Sequence, residues 1–168
     1  MGVLAIHRFP DPLLKRPTHS VERLTDQVRH LIDAMVETMR HYPRCVGLAA
    51  PQVGSSFRIA VMDASRHPKA PDSQHGLLVL INPQLDQPEG VLLQREGCLS
   101  IPDFTGNVHR ASRVHLVALD ASGALREWWL EGFEAIVAQH EVDHLDGKLF
   151  LDRVANLKSD VFKRKTGL

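Results

Sequence analysis

Between residues 140 and 144 the chain reads His140-Glu141-Val142-Asp143-His144. On a helix, residues four apart stand one turn apart on the same face. Two imidazoles so placed can hold one divalent ion, with the intervening glutamate near enough to act on a water activated there. Both histidines fall on the apolar stripe of Phe133, Ile136 and Val137, so they are expected to point into the protein. Burying two imidazoles and two carboxylates with no metal would be costly; the competing reading is a solvated helix end that carries histidines by chance. A catalytic site that keeps one position open takes three protein ligands. No His or Glu follows His144, and Phe150 stands where a longer His-Glu-x-x-His-x-x-Gly-x-x-His pattern would place its third histidine. Asp146, Asp152 and Asp160 remain downstream, and Cys98 upstream in Glu96-Gly97-Cys98-Leu99-Ser100-Ile101-Pro102. A thiolate is a strong ligand for a borderline-soft ion, and glycine beside it permits close backbone approach. The alternative for Cys98 is a buried structural thiol.

The elements that must position these residues follow from the hydrophobic pattern. Leu24, Val28, Leu31, Ile32, Met35 and Met39 recur at helical spacing, which predicts a helix from about Thr25 to His41 that Pro43 ends. Short apolar runs at 57–63, 77–82, 91–94, 114–119 and 125–130 read as strands, with Ser122-Gly123 as a hairpin turn. A second helix is expected from Glu131 or Gly132, apolar nearly all round and therefore buried, with Gly147 as its left-handed cap. Residues 1–20 read as extended and 64–76 as an exposed loop. The pattern predicts an α+β fold, one buried helix among antiparallel strands. All 168 residues are expected to form a single catalytic domain, with 155–168 a short C-terminal tail or helix.

Composition narrows the function classes. The chain is 43% hydrophobic and 24% charged, which excludes disorder and fibrous repeats. Its 20 basic and 20 acidic residues cancel, which removes the electrostatic case for a general nucleic-acid or membrane binder. No apolar run approaches a membrane span. Two cysteines, Cys45 and Cys98, make no disulfide scaffold.

Val46-Gly47-Leu48-Ala49-Ala50-Pro51-Gln52, Glu96-Gly97-Cys98-Leu99-Ser100 and His140-Glu141-Val142-Asp143-His144 together resemble, in order and separation, the three signature motifs of peptide deformylases. The resemblance implies a peptide-deformylase-like α+β fold, antiparallel sheets around a buried metal-binding helix. It implies removal of the N-formyl group from the N-terminal formyl-methionine of newly made proteins, with a metal-bound water as nucleophile. Carried over by position, Cys98, His140 and His144 would bind one divalent ion, Fe(II) by expectation, with Zn(II) and other divalent ions able to replace it. Glu141 would be the general acid and base, and Gln52 with the Leu99 backbone N–H would stabilise the oxyanion. Val46, Gly47, Glu96, Phe133, Ile136 and Val137 are the substrate-binding candidates; Arg110, pairing with Glu96, and Asp143 are candidates for support. The chain departs from the family at Cys45, where the first motif usually opens with Gly, and at Gln94, often apolar in the family. Its tail is short beside members that carry a long terminal helix.

The expected partners are nascent polypeptides that begin with formyl-Met. Lys158, Lys163, Arg164 and Lys165 allow a weak ribosome contact, against the plainer reading of a solvated helix face; neither DNA nor a membrane is expected, and monomer and dimer both stay open. The expected compartment is the bacterial cytoplasm, with an organelle as the alternative. Two other functions compete: a different metal-dependent amidase or peptidase, and a non-catalytic metal-binding relative at the ribosome. A binding module has no need of Glu141.

Overall fold

A computed structural model of the chain describes residues 2–165. Helix α1 (Asp26–His41) starts at Thr25, whose hydroxyl accepts the Val28 N–H at 3.2 Å, the usual way a first-turn amide is satisfied. Eight strands follow: β1 (Gly47–Ala49), β2 (Ile59–Asp63), β3 (Leu77–Glu89), β4 (Leu92–Cys98), β5 (Ile101–Arg110), β6 (Arg113–Leu119), β7 (Leu125–Glu131) and β8 (Val161–Lys163). Helix α2 (Gly132–Leu145) lies between β7 and β8 in the chain. All pairings between strands are antiparallel, in a five-stranded sheet ordered β1-β2-β3-β6-β7 and a three-stranded sheet ordered β4-β5-β8.

Side chains on a strand alternate between its faces, and here each face of the larger sheet meets a helix. Leu48, Ile59, Val61 and Ile81 pack with Val28, Ile32, Met35 and Met39 of α1. Met62, Leu78 and Leu80 pack with Ala135, Val137 and Ala138 of α2. Strand β2 is therefore buried along its whole length. On β1 the same alternation aims Gly47 and Ala49 at α2, where Ala49 joins Ala60 and Leu145 in a small cluster. Arg66, in the turn after β2, donates to the carbonyls of Met39 and Cys45, tying the end of α1 to the loop that leads into β1.

Several expectations are corrected. Residues 12–15 form a short 3-10 turn, not extended chain. Strand β3 runs to Glu89, well past residue 82, because Asn82, at φ 54°, sits in a bulge that lets pairing with β6 resume at Gln84; its side-chain amide bonds both the N–H and the carbonyl of Val21. Strand β5 was not expected at all. The tail forms no terminal helix among the described residues: after a 3-10 turn at Phe150–Asp152 it ends in β8, paired to Phe104, Thr105 and Gly106 of β5. Residues 166–168, the end of the expected tail, lie outside the described residues.

Candidate metal centre and catalytic pocket

The site forms where α2 passes the β4–β5 hairpin. Cys98 closes β4 opposite Ile101, so its sulfur stands at a tight turn made by Leu99 and Ser100. His140 and His144 project from one face of α2. Cys98 Sγ lies 3.3 Å from His144 Nε2, and the two Nε2 atoms lie 3.2 Å apart. Ligands held about 2.0–2.3 Å from one ion at tetrahedral angles stand about 3.4–3.7 Å from each other. These three atoms all lie within 4.8 Å of one another, and the two shorter separations fall just under that spacing. A soft sulfur with two imidazoles suits a borderline divalent ion, so the residues present fit a metal. Asp146, Asp152 and Asp160 are turned to other partners: Arg58, Lys15 with the Leu149 N–H, and the Asn156 N–H.

A network behind the ligands fixes their orientation. His140 Nδ1 lies 2.7 Å from Glu96 Oε1. An ionised carboxylate can only accept, so the proton sits on Nδ1 and Nε2 is left for the metal. Arg110 donates to both Glu96 oxygens at 2.7 and 2.9 Å and to Asp143 at 2.6 Å. Arg153 donates to both oxygens of Asp143 from beyond the helix. Gln139 brackets the Ala111 backbone with its amide, which registers α2 against the end of β5. Burial opposes the charge on Glu96, yet the hydrogen bonds from Arg110 and His140 prevail and lower its pKa to about 2. Glu96 lines the pocket, and its oxygens are held by Arg110 and His140, so it buttresses the site.

Glu141 is the opposite case. Its carboxylate lies over Gly47, where an added Cβ would meet Oε2 well inside contact distance. Oε1 is buried with no hydrogen-bond partner. Burial pushes its pKa up to about 7, the range in which a carboxyl can both take and return a proton at neutral pH. Burial, and then the charge of His140, hold His144 well below the usual imidazole range. On His140 burial works in the same sense, but contacts with Cys98 and Glu96 outweigh it and raise the pKa. Cys45 donates to the Gly47 carbonyl at 3.1 Å, and burial pushes its thiol up to about 12, so it stays protonated and outside the ligand cluster.

Gln52 is 2% exposed. Its Oε1 accepts the Ala49 N–H at 3.0 Å, which directs the amide nitrogen toward Cys98 Sγ at 3.4 Å and Ser100 Oγ at 3.2 Å. Gln52 and Cys98 line a cavity of about 200 Å³, whose apolar wall comes from Val46, Leu99, Phe133, Ile136 and Val137. The cavity gathers Val46, Gly47, Gln52, Glu96, Cys98, Leu99, Phe133, Ile136, Val137, His140 and Glu141, while His144, Arg110 and Asp143 stand behind its wall. Sequence reasoning missed His67, stacked on Phe133 at 4.4 Å, and the rim residues Tyr42, Arg44, Arg95 and Arg164. Only a polar loop composition was visible around His67, and nothing in the sequence ties the rim to the cavity.

The family model described as polypeptide deformylase matches residues 3–160. The chain belongs to the polypeptide deformylase family. It is 42% identical over 165 residues to a peptide deformylase of Syntrophobacter fumaroxidans, covering 98% of this chain and 94% of that one. Among solved deformylases, that of Thermotoga maritima superposes with a TM-score of 0.82 at 36% identity, covering 92% of this chain and 99% of its own. The Acinetobacter baumannii deformylase, whose structure holds Met-Ala-Ser, superposes with a TM-score of 0.83 at 36% identity, covering 90% and 98%. These deformylase folds match the antiparallel sheets and central helix seen here.

Proposed function

We propose that this site hydrolyses the formamide at the head of a new polypeptide, releasing formate and a free N-terminal amine. Family membership makes the chain a deformylase, an enzyme that removes the N-formyl group. The observation that carries the residue assignment is the meeting of Cys98, His140 and His144 beside a buried Glu141 whose Oε1 has no hydrogen-bond partner. A divalent ion held by those three side chains, iron(II) in our reading and zinc(II) within reach of the same donors, would supply Lewis acidity and a nucleophilic water near neutral pH. Glu141 takes the proton of the attacking water and returns it to the departing amine nitrogen. Gln52, its carbonyl anchored by Ala49 and its nitrogen held beside Cys98 Sγ at the cavity wall, turns with the Leu99 N–H to stabilise the developing oxyanion. Val46, Phe133, Ile136 and Val137 receive the methionine side chain, and the peptide extends past Gly47. The Acinetobacter relative binds Met-Ala-Ser, a peptide headed by methionine, which supports a substrate of that class. We take the whole of 1–168 as one catalytic unit acting on nascent chains, in the bacterial cytoplasm, where formylated chains are made.

The test is hydrolysis of formyl-Met-Ala-Ser compared with acetyl-Met-Ala-Ser and an internally quenched peptide. Selective release of formate is expected, with Glu141→Ala keeping its metal and losing turnover at least about 100-fold. Cleavage of internal bonds, or near-native turnover in that variant, would overturn the assignment.

A further inference from the structure

One charged group at the cavity has no role in the reaction described above. Arg164 follows β8, and its backbone N–H donates to the Asp103 carbonyl at 2.8 Å, which fixes where the side chain starts. From there the side chain reaches across β5 onto β4. An added Cβ on Gly97 would stand only 3.3 Å from the guanidinium carbon. Two residues back along each strand the same crossing is made by Arg95, stacked 3.7 Å from the ring centre of Phe162. The guanidinium therefore lies on the cavity rim, beside the residue that precedes Cys98.

Its Nε and Nη2 are buried and have no hydrogen-bond partner. A buried N–H without an acceptor is rare in native proteins and calls for a reason. Neither Glu96 nor Asp143 supplies one. Glu96 is engaged by Arg110 and His140, and Asp143 by Arg110 and Arg153. Arg44 and Arg95 stand on the same rim, so the mouth of the cavity is cationic. Burial and the neighbouring Arg44 work against the charge on Arg164, while the Cys98 sulfur favours it. A planar fork with two unused donors in a cationic setting matches a carboxylate.

We propose that Arg164 is a specificity-determining residue, its guanidinium receiving a carboxylate of the peptide downstream of formyl-Met. The carboxylate is an Asp or Glu side chain of a longer chain, or the C-terminus of a short peptide. The inference rests on the deformylase reading of the pocket.

Steady-state kinetics on three peptides test it: formyl-Met-Ala-Ala-amide, formyl-Met-Ala-Glu-amide and formyl-Met-Ala-Ala with a free terminus. For the wild-type enzyme kcat/KM is expected to be about tenfold higher for a carboxylate-bearing peptide than for the neutral amide, through KM, with the advantage fading as salt rises. A gain on the glutamate peptide assigns the site to acidic nascent chains, and a gain on the free acid to chain ends. The ratio should fall to near one in Arg164→Gln and below one in Arg164→Glu. Because the readout is a ratio within one preparation, partial misfolding of a variant does not mimic the result. A wild-type ratio near one, or a preference that survives in both variants, overturns the proposal. Failure to deformylate any of the three would instead overturn the functional reading beneath it.

Discussion

His140 Nδ1 lies 2.7 Å from Glu96 Oε1, and that contact leaves Nε2 of the ring for the metal. Glu96 is in turn locked by two hydrogen bonds from Arg110. The orientation of a ligand on α2 is thus set by a carboxylate on β4 and a cation on β5. Neither group is a ligand, yet both decide whether the ligand atoms converge.

Glu96→Gln should therefore weaken the site without removing a ligand. Gln cannot accept from Arg110 and His140 with both terminal atoms. Metal affinity is expected to fall by about 10- to 100-fold, read by competition with a chromogenic chelator. Unchanged affinity would show that the ligand atoms converge without this support.

The same residue sets an acid limit on stability. Glu96 titrates near 2 in the folded protein against an ordinary value of 4.5. A depressed carboxylate pKa favours the folded state while the group is ionised, so its contribution is complete above about pH 4.5 and drains away toward pH 2. For chelator-treated protein, the stability gap between wild type and Glu96→Gln should be on the order of 3 kcal/mol near pH 6 and close as the pH approaches 2. Denaturant titrations at several pH values measure it; a gap independent of pH would place the effect elsewhere.

Gly47→Ala should separate catalysis from metal binding. The new Cβ would occupy the space of the Glu141 carboxylate, while Cys98, His140 and His144 are untouched. A displacement near 1 Å of a reacting group costs about 100-fold. Turnover of formyl-Met-Ala-Ser should drop by that order, with metal content by elemental analysis preserved. Full activity would mean that Glu141 can work from another position.

Gln52→Leu removes both the amide nitrogen aimed at the cavity and the acceptor of the Ala49 N–H. The expected loss is about 100-fold in kcat with KM little changed, as for a single oxyanion donor. Thermal melting should also drop, because a buried amide left without an acceptor costs about 1–3 kcal/mol. A change confined to KM would make Gln52 a substrate clamp.

The two histidines were legible in the sequence because helical spacing forces His140 and His144 onto one face, and because the buried stripe tells which way that face looks; Cys98 was chosen over the downstream aspartates by the family resemblance. Helix α1 was legible for the same reason. Strand β5 was not: Pro102, Asp103, Gly106 and Asn107 give it no alternation, and it is a strand because β4 and β8 hydrogen-bond it on both sides. Strand β8 is three residues long, too short for a period to show. Glu96 and Arg110 could be named from family resemblance, and Asp143 as a partner for a nearby imidazole or arginine. Arg153, Gln139 and Arg164 could not, because what they meet lies across tertiary contacts that no local pattern encodes.

Asp143 is gripped by Arg110 from the strand made before α2 and by Arg153 from the segment made after it. A polypeptide is synthesised from its N-terminus, so the second grip exists only once residue 153 has left the ribosome. Helix α2 is therefore pinned at Asp143 from both sides only after the segment that follows it has been made.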